Sequence, residues 1–316
     1  VTSGSLAATV RQGDGAEIVV ARIRAGETVG EMALISGEPR SATVVTTRDS
    51  SLVRISQEAF DRLIVQHPAA TAHLTRLLAR RLVETTHTRA PLIAAKTVAL
   101  IPAGPSVPCE ELARGLSAHL AGSARRIRVL DARAAGRTAE WFHAIEGAHD
   151  LILYLAEPSD SAWTRQCLRQ ADRILLVVEA RATPGDTAAG QNLEALRQRP
   201  CDIVIVHTPV AQASAGTSNG TVFPPVDLRC HVRLGNRSDL ARLARLLTGR
   251  AVGVVLSSGG ARGFAHLGAI RALRTAGIPF DLLGGTSMGA MIAAGLALEW
   301  DDAELESRMR DAFVTT

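Results

Sequence analysis

Apolar and polar positions alternate along the first part of the chain, with glycine and aspartate at the breaks. This alternation predicts antiparallel strands at residues 6–10, 18–23, 43–45 and 52–55. The period changes to that of a helix over residues 57–87, where one face carries Leu74, Leu77, Leu78 and Leu82. We expect this helix to pack on the preceding sheet and not on a membrane surface.

Four apolar runs, separated by helix-like segments, occupy the middle of the chain. They lie at residues 98–101, 151–155, 174–178 and 203–206, and their alternation with helices predicts a parallel α/β sheet. The turn after the first run, Pro102-Ala103-Gly104-Pro105, lacks the glycines and the lysine of a phosphate-binding loop. We therefore assign no nucleotide hydrolysis to this region. Residues 208–225, rich in Ser, Thr, Gly and Pro, are predicted to form a loop.

Two strand–turn–helix units stand near the C-terminal end. The first joins a strand at residues 252–256 to a helix over 264–276 through the turn S-S-G-G-A-R-G. The second joins a strand at 280–283 to a helix ending at 298 through the turn G-G-T-S-M-G. This second turn contains G-x-S-x-G, in which the flanking glycines allow a sharp, strained turn that exposes the serine. Ser287 is therefore the predicted nucleophile, and Gly285 and Gly289 are the flanking glycines.

The glycine-rich first turn suits an oxyanion. Residues with little or no side chain let backbone N–H groups face outward at the start of a helix, where the dipole adds positive potential. The candidate donors lie in the segment Gly259, Gly260, Ala261, Arg262 and Gly263. Two schemes fit an exposed serine at this stage: a Ser-Asp-His triad with later residues, and a dyad in which one aspartate is the base.

The pair of turns resembles those of the patatin-like phospholipases. The resemblance implies that the G-G-x-R-G turn forms the oxyanion hole, that the base is an aspartate of a later D-G-A or D-G-G motif, and that no histidine is catalytic. Ser258 departs from the third glycine usual in that turn. His266, beside the turn, is then a packing or hydrogen-bonding residue and not a base.

The aspartate of such a dyad is not found in the expected context. The literal D-G-A at Asp14-Gly15-Ala16 lies at a predicted hairpin tip, where Asp-Gly is the usual turn pair. The aspartates near Ser287 have no D-G context and are expected to cap helices or face solvent; they are Asp281, Asp301, Asp302 and Asp311. We expect the dyad aspartate to lie beyond Thr316 and the 316 residues alone to be inactive.

A second motif near the N-terminus suits a cyclic nucleotide. An acid and an arginine, Glu31 and Arg40, stand nine residues apart around a short helical turn. Arg40 would bind the phosphate through its planar guanidinium, turn N–H groups would add donors, and Glu31 would accept the ribose 2′-hydroxyl. The motif resembles the phosphate-binding cassette of cyclic-nucleotide-binding domains, which implies cAMP or cGMP as a regulatory ligand. The cassette positions are Gly30, Glu31, Met32, Ala33, Arg40, Ser41 and Ala42.

The order of these parts resembles the neuropathy target esterase family of lysophospholipases. Its middle region is matched by D-L-I-L-Y at residues 150–154, W-T-R-Q-C at 163–167 and R-Q-A-D at 169–172. The resemblance implies a multidomain α/β protein, truncated at both ends. We predict a partial β-roll nucleotide-binding domain at residues 1–91, a parallel α/β domain at 92–248 and the start of a patatin-like α/β domain at 249–316.

Amino-acid composition limits the classes of partner that the protein is expected to bind. A net charge of +4 could favour anionic surfaces, but a single lysine and 3% aromatic residues leave little material for nucleic-acid stacking. Four dispersed cysteines predict neither a disulfide framework nor a metal site, and no catalytic cofactor is expected. Without a signal sequence or an apolar run long enough to cross a bilayer, a cytoplasmic protein, peripheral at a membrane, is predicted.

The favoured function is a serine hydrolase of phospholipids or lysophospholipids, regulated by a cyclic nucleotide. One alternative is a nucleotide-responsive binding module with an inactive hydrolase remnant. Another is an α/β-hydrolase esterase with a Ser-Asp-His triad.

Overall fold

The computed structural model describes residues 1–11, 17–67, 69, 71, 74–78, 95–121, 125–180, 201–208 and 228–313. The chain divides into two compact units, Val1–Leu243 and Ala244–Thr316. Both units are mixtures of helices and strands, as predicted. None of the helices in the described ranges combines the length and the hydrophobicity that a bilayer crossing requires.

An antiparallel sheet of three strands begins the first unit. Strand β1 (Ser5–Arg11) lies between β2 (Glu17–Arg24) and β3 (Thr43–Thr46). Its apolar side chains alternate to one face, where a small core contains Leu6, Ala8 and Ile23. The predicted strand at residues 52–55 is not formed; only the neighbouring Ser51 makes an isolated bridge, to Ser3.

Two helices accompany this sheet. Helix α1 (Glu31–Ser36) lies between β2 and β3 in sequence, and α2 (Gln57–Gln66) begins at Ser56, whose side chain accepts a hydrogen bond from the Ala59 N–H. The predicted helix at 57–87 is interrupted at His67, the residue before Pro68, where a helical backbone is disfavoured. Residues 74–78 are again helical, whereas Leu82 lies outside the described residues.

A parallel sheet of six strands forms the larger part of the first unit. The strands are β4 (Thr97–Pro102), β5 (Ile127–Leu130), β6 (Leu151–Leu155), β7 (Arg173–Glu179), β8 (Cys201–His207) and β9 (Leu228–Arg233). Their spatial order is β5-β6-β4-β7-β8-β9. The helices are α3 (Cys109–Ala121), α4 (Ala139–Ala148), α5 (Ala162–Gln170) and α6 (Arg237–Leu247). Because the order reverses between β4 and β7, the usual ligand crevice of such sheets lies at the carboxyl ends of these strands.

The four predicted central strands are confirmed, and β5 and β9 are additional. Strands β4 and β7 are buried almost throughout, which explains their continuous apolar runs. The additional strands form the two edges and carry exposed arginines between their apolar residues, so their pattern is weaker. The predicted loop at 208–225 lies outside the described residues except for Thr208, as does Asp14-Gly15-Ala16.

The second unit is built around two parallel strands, β10 (Gly253–Leu256) and β11 (Leu282–Gly285). Between them run a 3-10 turn (Gly260–Phe264) and helix α7 (Ala265–Thr275), and after them α8 (Met288–Ala297) and α9 (Asp302–Phe313). The strand predicted at residues 280–283 begins two residues later, at Leu282. Helix α8 is apolar on most sides, and Ile292 and Leu296 pack with Ile270 and Leu305 in the core of this unit.

Candidate active site

Ser287 stands at the junction of strand β11 and helix α8. It has φ 54° and ψ −125°, a backbone conformation that non-glycine residues rarely adopt, and its side chain is exposed. The turn is closed by hydrogen bonds from the N–H groups of Gly289 to Thr286 O (3.1 Å) and Ala290 to Ser287 O (2.9 Å). A strained backbone held by the following helix therefore presents the serine hydroxyl to solvent.

The two flanking glycines are required by close backbone approach. A β-carbon on Gly285 would lie less than 3.0 Å from the backbone of Gly289, and one on Gly289 less than 3.0 Å from the carbonyl oxygens of Leu256 and Ser257. Neither neighbour can move like the end of a flexible side chain. The G-x-S-x-G pattern thus has a steric reason at both glycines.

The glycine-rich turn after β10 lies against the same helix. A β-carbon on Gly263 would overlap the side chain of Met288, the residue next to Ser287. Gly260 has φ +50° and begins the 3-10 turn, whose first N–H groups have no partner within the turn itself. In the predicted donor segment 259–263, residues 259–262 are exposed and Gly263 is buried. The two turns therefore meet beside the serine, with backbone amides at the start of a helical segment.

His266 makes a hydrogen bond to the glycine-rich turn. Its Nε2 lies 2.9 Å from the carbonyl oxygen of Ser257. A carbonyl only accepts, so Nε2 carries the proton and donates. This bond fits the hydrogen-bonding role that the resemblance implies.

Asp281 was expected to cap a helix or face solvent, and this expectation is wrong. The carboxylate is buried and accepts hydrogen bonds from Nη2 and Nε of Arg245, at 2.6 Å and 2.8 Å. The same carboxylate accepts the N–H of Val252 at 2.9 Å. Within the second unit, Asp281 thereby connects Arg245 to the starts of β10 and β11. No short-range sequence signal points to this pair, because 36 positions separate the two residues.

The remaining aspartates of this unit have structural roles. Asp301 accepts the N–H of Glu304 at 2.8 Å and caps α9, as predicted. Asp302 pairs with Arg274 on α7 at 2.5 Å. Asp311 accepts a long bond of 3.5 Å from Ser307 one turn earlier.

The candidate nucleotide cassette surrounds the start of helix α1. Gly30 has φ 84° and precedes the helix, and the Arg40 guanidinium donates to its carbonyl oxygen. Glu31 is buried at 3% exposure, whereas Met32 is 59% exposed. Ala33 is half-buried, Ser41 is exposed and Ala42 packs on the small core. The fold thus brings Arg40 to the turn that begins at Gly30.

The four cysteines lie among the described residues, where all are buried and none forms a disulfide. Burial raises the pKa of the Cys109 thiol to about 12 and also raises that of Cys167. Thiols held in this protonated form are poor nucleophiles and poor metal ligands. Their role is packing.

Three family models match successive parts of the chain. Residues 1–67 match a cyclic nucleotide-binding domain, 94–220 the Neuropathy Target Esterase family P-loop like domain, and 254–316 a patatin-like phospholipase. The similarity extends over most of the chain in curated relatives. Patatin-like phospholipase domain-containing protein 6 of Homo sapiens is 28% identical over 98% of this chain, and lysophospholipase NTE1 of Yarrowia lipolytica is 27% identical over 90%. The chain is a homologue of the neuropathy target esterases.

This neuropathy target esterase homologue spans about a quarter of the length of the relatives it matches. The covered share is 27% of the human protein and 26% of the yeast one. Neuropathy target esterase sws of Drosophila grimshawi is 30% identical over 93% of this chain and 24% of its own length. The match includes the segments that hold Ser287 and Arg40.

Proposed function

We propose that the protein is a serine hydrolase of phospholipid or lysophospholipid esters, with Ser287 as nucleophile. The observation that carries the proposal is the strained conformation of an exposed Ser287 between two glycines that the backbone requires. The patatin-like match over residues 254–316 supports it. The names of the relatives, which include a lysophospholipase, support the substrate class.

The reaction follows from the two turns. The Ser287 hydroxyl attacks the ester carbonyl while its proton passes to a general base, which the resemblance assigns to an aspartate. Negative charge then develops on the carbonyl oxygen. Backbone N–H groups of the segment 259–263 are proposed to bind that oxygen, and removing one such donor typically costs about 3–4 kcal/mol of transition-state stabilisation. Collapse of this intermediate breaks the ester C–O bond, and the leaving alcohol takes the proton back from the base. Water then hydrolyses the acyl-enzyme, which releases the fatty acid and restores the Ser287 hydroxyl.

A membrane surface is the proposed location of the substrate, because these lipids reside in bilayers. We propose a cytoplasmic protein that works peripherally at such a surface. The four buried thiols support a reducing compartment.

The test is ester hydrolysis by full-length protein with a lysophospholipid substrate. Ser287→Ala is expected to lower kcat by at least about 10⁴-fold, the usual cost of deleting a catalytic serine. Ser307→Ala is the matched control on the exposed surface of α9 and should retain full activity. Wild-type activity that survives in Ser287→Ala would overturn the assignment.

Regulation by a cyclic nucleotide is a second proposal, carried by the contact between Arg40 and the Gly30 turn. The guanidinium has further N–H groups that can donate hydrogen bonds to a phosphate. The cyclic nucleotide-binding match at residues 1–67 supports it. Calorimetry with cAMP and cGMP is expected to show binding by the wild type, at least about 10-fold weaker binding by Arg40→Ala, and no change in Arg54→Ala. No heat from the wild type would refute it.

A further inference from the structure

The R-Q-A-D segment at residues 169–172 has no role in the proposed chemistry, yet it contacts the N-terminal sheet. Both lie in the first compact unit. The segment links the end of α5 to the start of β7, at the amino-terminal edge of the parallel sheet. Its neighbours across this boundary are residues just after β3 and at the start of β1, which belong to the part that matches a nucleotide-binding domain.

Arg48 is the central contact. Its side chain is 4% exposed and makes two hydrogen bonds to Glu146 on α4, at 2.7 Å and 3.1 Å. Its Nε lies 2.9 Å from a carboxylate oxygen of Asp172. Burial by itself would lower the pKa of Arg48, but the bond to Glu146 and the charges of Asp172 and Glu146 raise it above the usual value. The guanidinium is therefore held charged inside the protein by two carboxylates of the α/β domain.

The other members of the segment complete the contact. The carbonyl oxygen of Arg169 accepts the N–H of Asp49 at 3.2 Å, and the Gln170 side-chain amide donates to the Asp49 carboxylate at 2.9 Å. Asp172 also accepts the hydroxyl of Ser5 at 3.1 Å. Three of the four residues thus bind the N-terminal part, and Ala171 is buried in the core of the α/β domain.

The Asp172 carboxylate also contacts the parallel sheet itself. Its second oxygen accepts the N–H groups of Lys96 at 3.3 Å and Thr97 at 3.2 Å, at the start of β4. One carboxylate therefore bridges Arg48, Ser5 and the first strand of the α/β domain. Separating the N-terminal sheet from the α/β domain would leave these buried charged groups without their partners. Such a separation is therefore energetically costly.

The opposite edge of the same sheet is poorly suited to a phosphate. The reversal of strand order places the usual ligand crevice at the carboxyl ends of β4 and β7. There Ser106 donates to the carboxylate of Glu179, and the first turn of helix α3 contains Glu110 and Glu111. Negative side chains at this position repel a phosphate that the helix start would otherwise attract.

We propose that the α/β domain acts as a docking platform for the N-terminal sheet, and that Glu146 together with R-Q-A-D forms the docking site for Arg48 and Asp49. The domain then holds the N-terminal sheet in a fixed position, and its described residues are assigned no nucleotide chemistry. This inference is independent of whether a cyclic nucleotide binds.

Amide hydrogen exchange on the full-length protein tests the proposal. In Arg48→Met, exchange in β1 and β3 is expected to accelerate about 100-fold, because Glu146 and Asp172 lose their buried partner. Exchange in β6 and β8 should stay unchanged. The matched control is Arg165→Met, which removes an exposed arginine paired with Asp160 at 3.1 Å in the same domain, and it should leave β1 and β3 as in the wild type.

A double variant isolates the contact. Arg48→Met with Glu146→Gln is expected to accelerate exchange by less than the product of the single effects, since the two residues share one interaction. If Arg48→Met does not fold, Arg48→Lys replaces it in the experiment. Lysine keeps the charge but lacks the forked guanidinium, so the acceleration of exchange is expected to lie between those of the wild type and a complete loss of the contact. Unchanged exchange in β1 and β3, equal acceleration in Arg165→Met, or independent single effects would overturn the docking site.

Discussion

A β-carbon on Gly289 would lie less than 3.0 Å from the carbonyl oxygen of Leu256. The first turn of α8 therefore approaches the end of β10 more closely than any side chain at this position permits. The same carbonyl accepts the N–H of Thr286 at 3.0 Å, so the turn before Ser287 is bound to the neighbouring strand. The position of the serine depends on this backbone contact.

Gly289→Ala is predicted to abolish the proposed ester hydrolysis. The new methyl group must displace α8 or β10, which shifts the Ser287 hydroxyl, and misplacement by about 1 Å can cost about 100-fold in rate. The control is Gly268→Ala on α7, where a β-carbon meets nothing within 4 Å. That change should keep activity and stabilise α7 by about 0.5–1 kcal/mol. Ester hydrolysis and thermal unfolding are measured for both variants. Normal activity in Gly289→Ala would contradict the steric argument.

Asp281→Asn is predicted to destabilise the protein without removing the chemistry. The carboxylate binds Arg245 and the N–H of Val252, so losing its charge should cost about 2–3 kcal/mol. Urea unfolding measures this loss. Asp302→Asn, in a more exposed pair with Arg274, should cost less than about 1 kcal/mol. If Asp281→Asn kept the stability and lost all esterase activity, Asp281 would be the catalytic base.

The two turns of the candidate site could be predicted because the residues that form each turn are close together in the sequence. A strained serine needs glycines two positions away, and both stand in one short run of sequence. The pairs that hold the surrounding structure are not local: Arg245 and Asp281 are 36 positions apart, and Arg48 and Glu146 are 98 apart. The sequence around a single arginine does not indicate which distant carboxylate it will pair with.

The same distinction explains the fold. Buried strands such as β6 read as unbroken apolar runs and were predicted with matching bounds. Edge strands such as β5, with the sequence I-R-V-L, are half-exposed and resemble a loop or a helix segment. Residues 52–55 alternate like a strand but pair with no strand among the described residues, which local alternation cannot reveal.

His266→Gln is predicted to leave most of the activity. The imidazole Nε2–H donates to Ser257 O, and the glutamine side-chain amide reaches the same position and can donate to the same carbonyl. We expect a loss below about 10-fold in kcat, far smaller than for deletion of a catalytic base. Lysophospholipid hydrolysis across pH 5 to about pH 9 gives the measurement, with Ser287→Ala as the inactive reference. A loss as large as that of Ser287→Ala would favour a triad.

His231→Gln is predicted to flatten the pH dependence of stability at the β8–β9 edge. Burial lowers the pKa of His231 below 6.5, and the neighbouring His207 and Arg242 lower it further. The unfolded chain therefore binds the proton first as the pH falls through 6.5, so the folded state loses stability from there down to the folded pKa. Above 6.5 both forms are neutral and this contribution is complete.

Thermal unfolding measured between about pH 5 and pH 8 tests this effect of His231 on stability. The wild type should lose more stability on acidification than His231→Gln, because glutamine does not titrate. His143→Gln, on the exposed side of α4, is the matched control and should follow the wild type. The rings of His207 and His231 also share a 2.9 Å hydrogen bond between Nε2 and Nδ1, in which one of the two nitrogens must accept. Parallel curves for the wild type and His231→Gln would show that His231 does not carry the pH dependence.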